Sequence, residues 1–152
     1  MREVTAQGSP TTGTFRPYGL DCSGFVDWVF YNVSGGAHIA GHGGGAMMQH
    51  TYCTAISWDE AVPGDLVFYP DDEHVGIVCG RDTDGNLMVI HCASGYNNVV
   101  ITDTDGFVAI GRSDSHINFA VDRNSAALVI GNQQTAKGCI GKVMVNADAC
   151  IL

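Results

Sequence analysis

Asp21-Cys22-Ser23-Gly24-Phe25-Val26 opens a helix and sets a cysteine in its first turn. Asp21 is a good N-cap, because a short carboxylate can accept from a free backbone N–H of that turn. Phe25, Trp28 and Val29 then recur at i, i+3 and i+4, which makes one face apolar. Phe30 and Tyr31 widen that face, and Asn32 with Gly35-Gly36 ends the helix. Further along, the hydrophobic pattern changes to short runs between turns. Pro63-Gly64-Asp65 is a turn, and Leu66-Val67-Phe68-Tyr69 reads as a strand. Pro70-Asp71-Asp72-Glu73 is an acidic turn before a second strand, His74-Val75-Gly76-Ile77-Val78-Cys79. Asp84-Gly85 marks a hairpin. Leu87 to Cys92 is the third strand, Val99-Val100-Ile101-Thr102 the fourth, and Phe107 to Gly111 a fifth. Consecutive strands joined by short turns predict an antiparallel sheet in meander order, and a helix ahead of such a sheet gives the class α+β.

The chain has 152 residues, the length of one domain. Seven Lys+Arg against sixteen Asp+Glu leave a net charge of −9. That balance excludes nucleic acid as a partner, since phosphate binding needs a cationic face. It also speaks against an anionic membrane surface. The apolar runs are about four residues long, far short of the ~20 that a membrane helix needs, so no membrane insertion is expected. Residues Met1 to Pro10 lack the apolar core of a signal peptide. Glycine is the outlier at 20 of 152 residues, near twice its usual ~7%. Six of these glycines fall in residues 34–45, a flexible loop without the Gly-Lys-Ser/Thr of a phosphate loop. Residues 46–57 form a short helix or a surface loop. Beyond Ser113 the strand candidates are Ala126 to Ile130 and Cys139 to Val145.

Cys22 stands where a helix presents free N–H groups and its positive dipole end, which favour thiolate over thiol. It is a candidate nucleophile; the plain alternative is a small core residue. A nucleophilic cysteine needs a base. His74 begins a strand directly after a turn, a place from which a side chain can face a groove. His91 lies near the end of the next strand. With a connecting loop of about five or six residues, the two histidines become cross-strand neighbours, and His91 could then orient His74 as the third member of a triad does.

Other donors compete for attention. His38, His42, His50 and Cys53 lie within sixteen residues, and zinc accepts such ligands. Their glycine-rich surroundings offer no rigid scaffold, so solvated loop histidines are the plainer reading, and no metal or other cofactor is expected. Cys79 and Cys92 sit on adjacent predicted strands as a cross-strand disulfide or as two packed thiols, the second being preferred. Cys139 and Cys150 could close a small loop in an oxidising compartment.

Three motifs in order, Asp21-Cys22-Ser23-Gly24-Phe25-Val26, Pro63-Gly64-Asp65-Leu66-Val67-Phe68-Tyr69 and His74-Val75-Gly76-Ile77-Val78, resemble the NlpC/P60 cysteine peptidases. The resemblance spans residues 17–112. It implies a papain-like α+β fold, with the nucleophile helix packed on an antiparallel sheet of about five strands. It further implies cleavage of bacterial peptidoglycan stem peptides between D-γ-glutamate and a diamino acid, diaminopimelate or lysine. Carried over, Cys22 is the nucleophile, His74 the general base and His91 the polar residue that orients it. Asp21 and Ser23 occupy positions that the family uses to bind the stem peptide. The expected place of action is the extracellular space or the cell wall. The family's Tyr-x-x-Gly-Gly segment ahead of the cysteine has no counterpart here, Tyr18 being too close. Residues 1–112 are therefore expected to be a catalytic domain lacking its N-terminal part, and 113–152 a tail of unassigned role. An inactive cell-wall-binding fragment and a zinc module on the His38/His42/His50/Cys53 cluster are the alternatives. The sequence names no oligomeric state.

Overall fold

A helix with one apolar stripe and strands with apolar residues on both faces bury themselves best against each other, and the chain folds accordingly. The computed structural model describes residues 2–3, 5, 12–16, 20–117, 119–122, 127–130 and 142–144. In chain order the elements are β1 (Arg2–Glu3), β2 (Phe15–Arg16), α1 (Cys22–Val33), α2 (Gly45–Thr51), β3 (Cys53–Ala55), β4 (Leu66–Phe68), β5 (Val75–Arg81), β6 (Leu87–Ala93), β7 (Asn98–Thr102), β8 (Ala109–Ser113), β9 (Phe119–Asp122), β10 (Ala127–Ile130) and β11 (Lys142–Met144). Single 3₁₀ turns lie at Trp58–Glu60, Pro70–Asp72 and Ser94–Tyr96.

The main sheet has six antiparallel strands in the order β3-β8-β4-β5-β6-β7. The expected meander holds from β4 to β7. It breaks at β8, which crosses back to pair with the other side of β4, Leu66 opposite Gly111. The sixth strand, β3, lies in the stretch expected to be a short helix or loop and completes the edge beyond β8. Residues 119–122, 127–130 and 142–144 pair among themselves as a three-stranded sheet and do not lengthen the main one. The motif residues 17–19, with Tyr18, and the Cys139 and Cys150 thiols lie outside the described residues.

Helix α1 starts where the sequence says it should. The Asp21 carboxylate accepts from the Gly24 backbone N–H at 2.6 Å and from the Ser23 hydroxyl at 3.2 Å. Its apolar face, Phe25, Val26, Val29 and Phe30, is fully buried against Val75, Ile77, Ile90 and Cys92 of the sheet. Each such side chain contributes about 1.5–3 kcal/mol on leaving water. On the opposite face of the sheet Val67, Val78, Val89, Phe107 and Ile110 form a second apolar cluster.

The β5–β6 hairpin carries one surplus residue. Near its tip Gly80 faces Met88 and Arg81 faces Leu87, but closer to the site Val78 faces Val89 and Ile77 faces Ile90. The register shifts by one at Cys79, a β-bulge completed by Gly80 at φ 141°, a backbone angle that suits glycine. Because strand faces alternate, a shift of one residue exchanges the two faces. The bulge therefore decides which residues of β6 share a face with His74.

Candidate active site

Continued one step, the inner register sets Gly76 across from His91 and puts His74 diagonal to it on the same face. His74 Nε2 and His91 Nδ1 meet at 2.6 Å, with their rings edge to face. Without the bulge the two imidazoles would stand on opposite sides of the sheet. Gly76 leaves the space in which they meet. A Cβ there would stand 3.2 Å from both His91 Cβ and Phe107 Cζ, and would collide with Val89 Cγ1. Gly76→Ala should therefore cost about 1–3 kcal/mol of stability through overpacking, measured by urea unfolding.

The hydrogen-bond chain fixes the tautomers. Thr102 Oγ1 donates to the Asp103 carbonyl at 2.9 Å, which leaves its lone pair for His91 Nε2 at 3.1 Å. His91 thus carries its proton on Nε2, and its bare Nδ1 accepts from His74 Nε2–H. The ring nitrogen of His74 left to act as a base is Nδ1. Burial lowers the pKa of His74. Burial first, and then the neighbouring His74, pull that of His91 down to about 4. His91 is 4% exposed, and it supplies a neutral acceptor where a carboxylate would supply a charge. Tyr69 meets His74 edge-on, and Phe107 packs against Tyr69, His74 and His91, shielding the pair.

Cys22 lies at the head of α1, half-buried against the helix-side core. The backbone N–H of Val75, the residue after His74, is directed at its sulfur, as are those of Ser23 and Cys22 itself. These donors favour the thiolate. Burial outweighs them, and the Asp21 charge adds to burial, so the thiol pKa is raised. Burial thus works against the preference for thiolate expected from the helix start. Asp21 and Ser23 sit together at the cap, the carboxylate exposed beside the sulfur.

The turn that delivers His74 is strained and braced. Asp71 and Asp72 hold φ of 57° and 56°, a region that side chains with a Cβ seldom occupy. His50 of α2 stacks on Phe68 with ring centres 4.0 Å apart and binds Asp72 Oδ1 through Nδ1 at 2.7 Å. This contact uses one of the histidines considered for zinc. His42 is bound to Asp27 at 3.0 Å and stacked on His38, and the Cys53 thiol donates to the Gln49 carbonyl. Among the described residues no three His, Cys, Asp or Glu side chains converge as metal ligands. The zinc cluster is therefore corrected to separate structural contacts. Cys79 and Cys92 are buried thiols that donate to the carbonyls of Met88 and Leu20. They do not face each other, because the inner register sets Cys92 opposite Val75.

A groove of about 660 Å³ opens beside the histidine pair, between Tyr69, Glu73 and His74 on one side and Ala93 and Tyr96 on the other. Sequence reasoning missed Thr102, Tyr69, Phe107 and Gly76. Only the polar Thr102 at the end of an apolar strand offered a signal. No helix among the described residues is long and apolar enough to cross a membrane.

Two comparisons bear on this site. The model of the NlpC/P60 family matches residues 8–113. Over 77 residues the chain is 40% identical to a Listeria grayi protein named "Probable endopeptidase p60". The match takes in 48% of this chain and 14% of that protein's length.

Proposed function

The chain belongs to the NlpC/P60 family, and from that premise we propose that it is a cysteine peptidase acting on peptidoglycan stem peptides, with Cys22, His74 and His91 as its catalytic set. The observation that carries the reading is the 2.6 Å bond between His74 and His91 at the strand head whose next N–H meets the Cys22 sulfur. The bond cleaved joins the γ-carbonyl of D-glutamate to the amine of the next diamino acid. The cell wall, outside the cytoplasm, is where such a substrate is met.

The chemistry starts from a neutral pair. As Cys22 Sγ attacks the γ-carbonyl carbon, its proton passes to His74 Nδ1. His91 Nδ1 holds the ring in place and accepts from the Nε2–H that acidifies as the imidazolium forms. Charge grows on the carbonyl oxygen, and the backbone N–H at Cys22 forms part of its oxyanion hole. The C–N bond then breaks, and His74 returns the proton to the departing amine. Water gives a proton to His74, its oxygen displaces the sulfur, and the γ-carboxylate leaves with the thiol restored. Asp21 and Ser23 at the helix cap hold the stem peptide beside the sulfur.

Two measurements test this. Incubation with an L-alanyl-γ-D-glutamyl-diamino acid tripeptide should release the free diamino acid, seen by mass spectrometry; intact tripeptide would refute the reading. The pH profile should be broad. The base form of His74 survives below its ordinary value of 6.5 because burial lowers its pKa, so the acid limb of kcat/KM falls below 6.5. The thiol keeps its proton above 9.0 because burial raises its pKa, so the alkaline limb lies above 9.0.

A further inference from the structure

We propose that Glu73 makes this site prefer stem peptides whose diamino acid is lysine over those carrying a free diaminopimelate carboxylate. The inference rests on the peptidase reading above and sharpens its substrate. His74 gives its proton to the leaving amine, so the leaving diamino acid must lie on the imidazole side of the thiol. That is the side on which the groove of about 660 Å³ opens, with Glu73 and His74 in its wall.

The two leaving residues share the released amine and a distal ammonium group. They differ by one carboxylate, which diaminopimelate carries beside that ammonium. A groove built to hold the extra carboxylate needs a cation or converging donors for it. Among the described wall residues Glu73 is the one with a formal charge, since burial keeps both His74 and His91 in their neutral forms. Neither basic residue with a described side chain is near. Arg112 is held by Asp65 through two bonds of 2.8 and 2.9 Å, and Arg81 lies at the other end of β5, bound to the Gly85 carbonyl. Glu73 has no ion-pair partner among the described residues, and Asp71 and Asp72 precede it with the same sign. A lysine ammonium therefore meets an open carboxylate, whereas the second carboxylate of diaminopimelate meets like charge.

The test compares kcat/KM at low salt for three tripeptides, L-alanyl-γ-D-glutamyl-lysine, its diaminopimelate counterpart, and the same with the distal carboxylate amidated. The native chain should prefer lysine about three- to fivefold, the scale of a solvent-exposed charge pair. The amidated peptide should recover most of the difference. Glu73→Gln should level the rates and Glu73→Lys should invert them. Equal rates on the native chain, or a preference that survives in Glu73→Gln, would overturn the selectivity while leaving the peptidase reading intact. Cleavage of none of the three would overturn that reading, and this inference with it.

Discussion

Replacing Cys22 by alanine should lower stem-peptide hydrolysis by about 10⁴-fold or more, to the background of the assay. The reason is that the covalent route depends on one atom. Without the sulfur, His74 has no proton to take and no acyl-enzyme can form. Losses of this size are usual when the nucleophile of a unit acting in concert is removed. The fold should hardly notice. Cys22 is only half-buried, and the helix start is fixed by the Asp21 carboxylate and the buried Phe25 and Val26, none of which the change touches. The variant should therefore melt close to the native chain and still bind the tripeptide, checked by thermal unfolding and calorimetric titration. Its His74→Gln counterpart should lose activity on a similar scale while Cys22 remains open to alkylation. If the alanine variant kept even a tenth of the native rate, Cys22 would not be the nucleophile.

Replacing Asp65 by alanine should cost about 3 kcal/mol of stability, read by urea unfolding. Asp65 is fully buried where the Pro63-Gly64 turn enters β4. Its carboxylate receives a two-pronged bond from Arg112 of β8 and a third from the Val62 N–H at 2.9 Å. Arg112 also reaches the Glu60 carbonyl at 3.2 Å, so one carboxylate joins the 3₁₀ turn, the β4 entry and the crossing strand β8. Removing one partner of a buried pair typically costs about 3–5 kcal/mol, because the other is left uncompensated. The lower end applies here, since the Arg112 side chain is 39% exposed and can turn toward water. Replacing both at once, Asp65→Leu with Arg112→Met, should cost less than Asp65→Ala alone. A double variant as unstable as the sum of its parts would show that the two residues act separately.

Helix α1 was legible because a capping aspartate and an apolar stripe at helical spacing agree, and agreement of independent local signals is what a sequence can express. The strands from Leu66 to Thr102 were legible for the same reason, with Asp84-Gly85 marking the hairpin tip. β3 was not, since three half-exposed residues carry no period. The crossing of β8 to β4 was hidden too, as nothing in residues 107–113 says which edge they will meet. The histidine pairing was reached by counting residues around the turn. The count could not include the bulge at Cys79, which shows itself only as a glycine four places before the tip. Asp65 read as an ordinary turn residue because its partner Arg112 lies 47 positions away. The helix start that favours a Cys22 thiolate is visible in sequence, while the burial that opposes it is not.

The surplus residue at Cys79 also sets a route by which this chain could lose its chemistry in descent. Loss of the Cys79 codon would change little, because Val78 would still face Val89, Gly80 would still face Met88 and the two histidines would stay on one face. A substitution at Gly80 that straightens the strand with Cys79 kept would instead carry the tip register inward, set Ile77 across from His91 and leave His74 on the other side of the sheet. A relative that has turned from cutting stem peptides to merely holding them need not show a mutated cysteine or histidine, nor a change in length; it need only carry a side chain at Gly80.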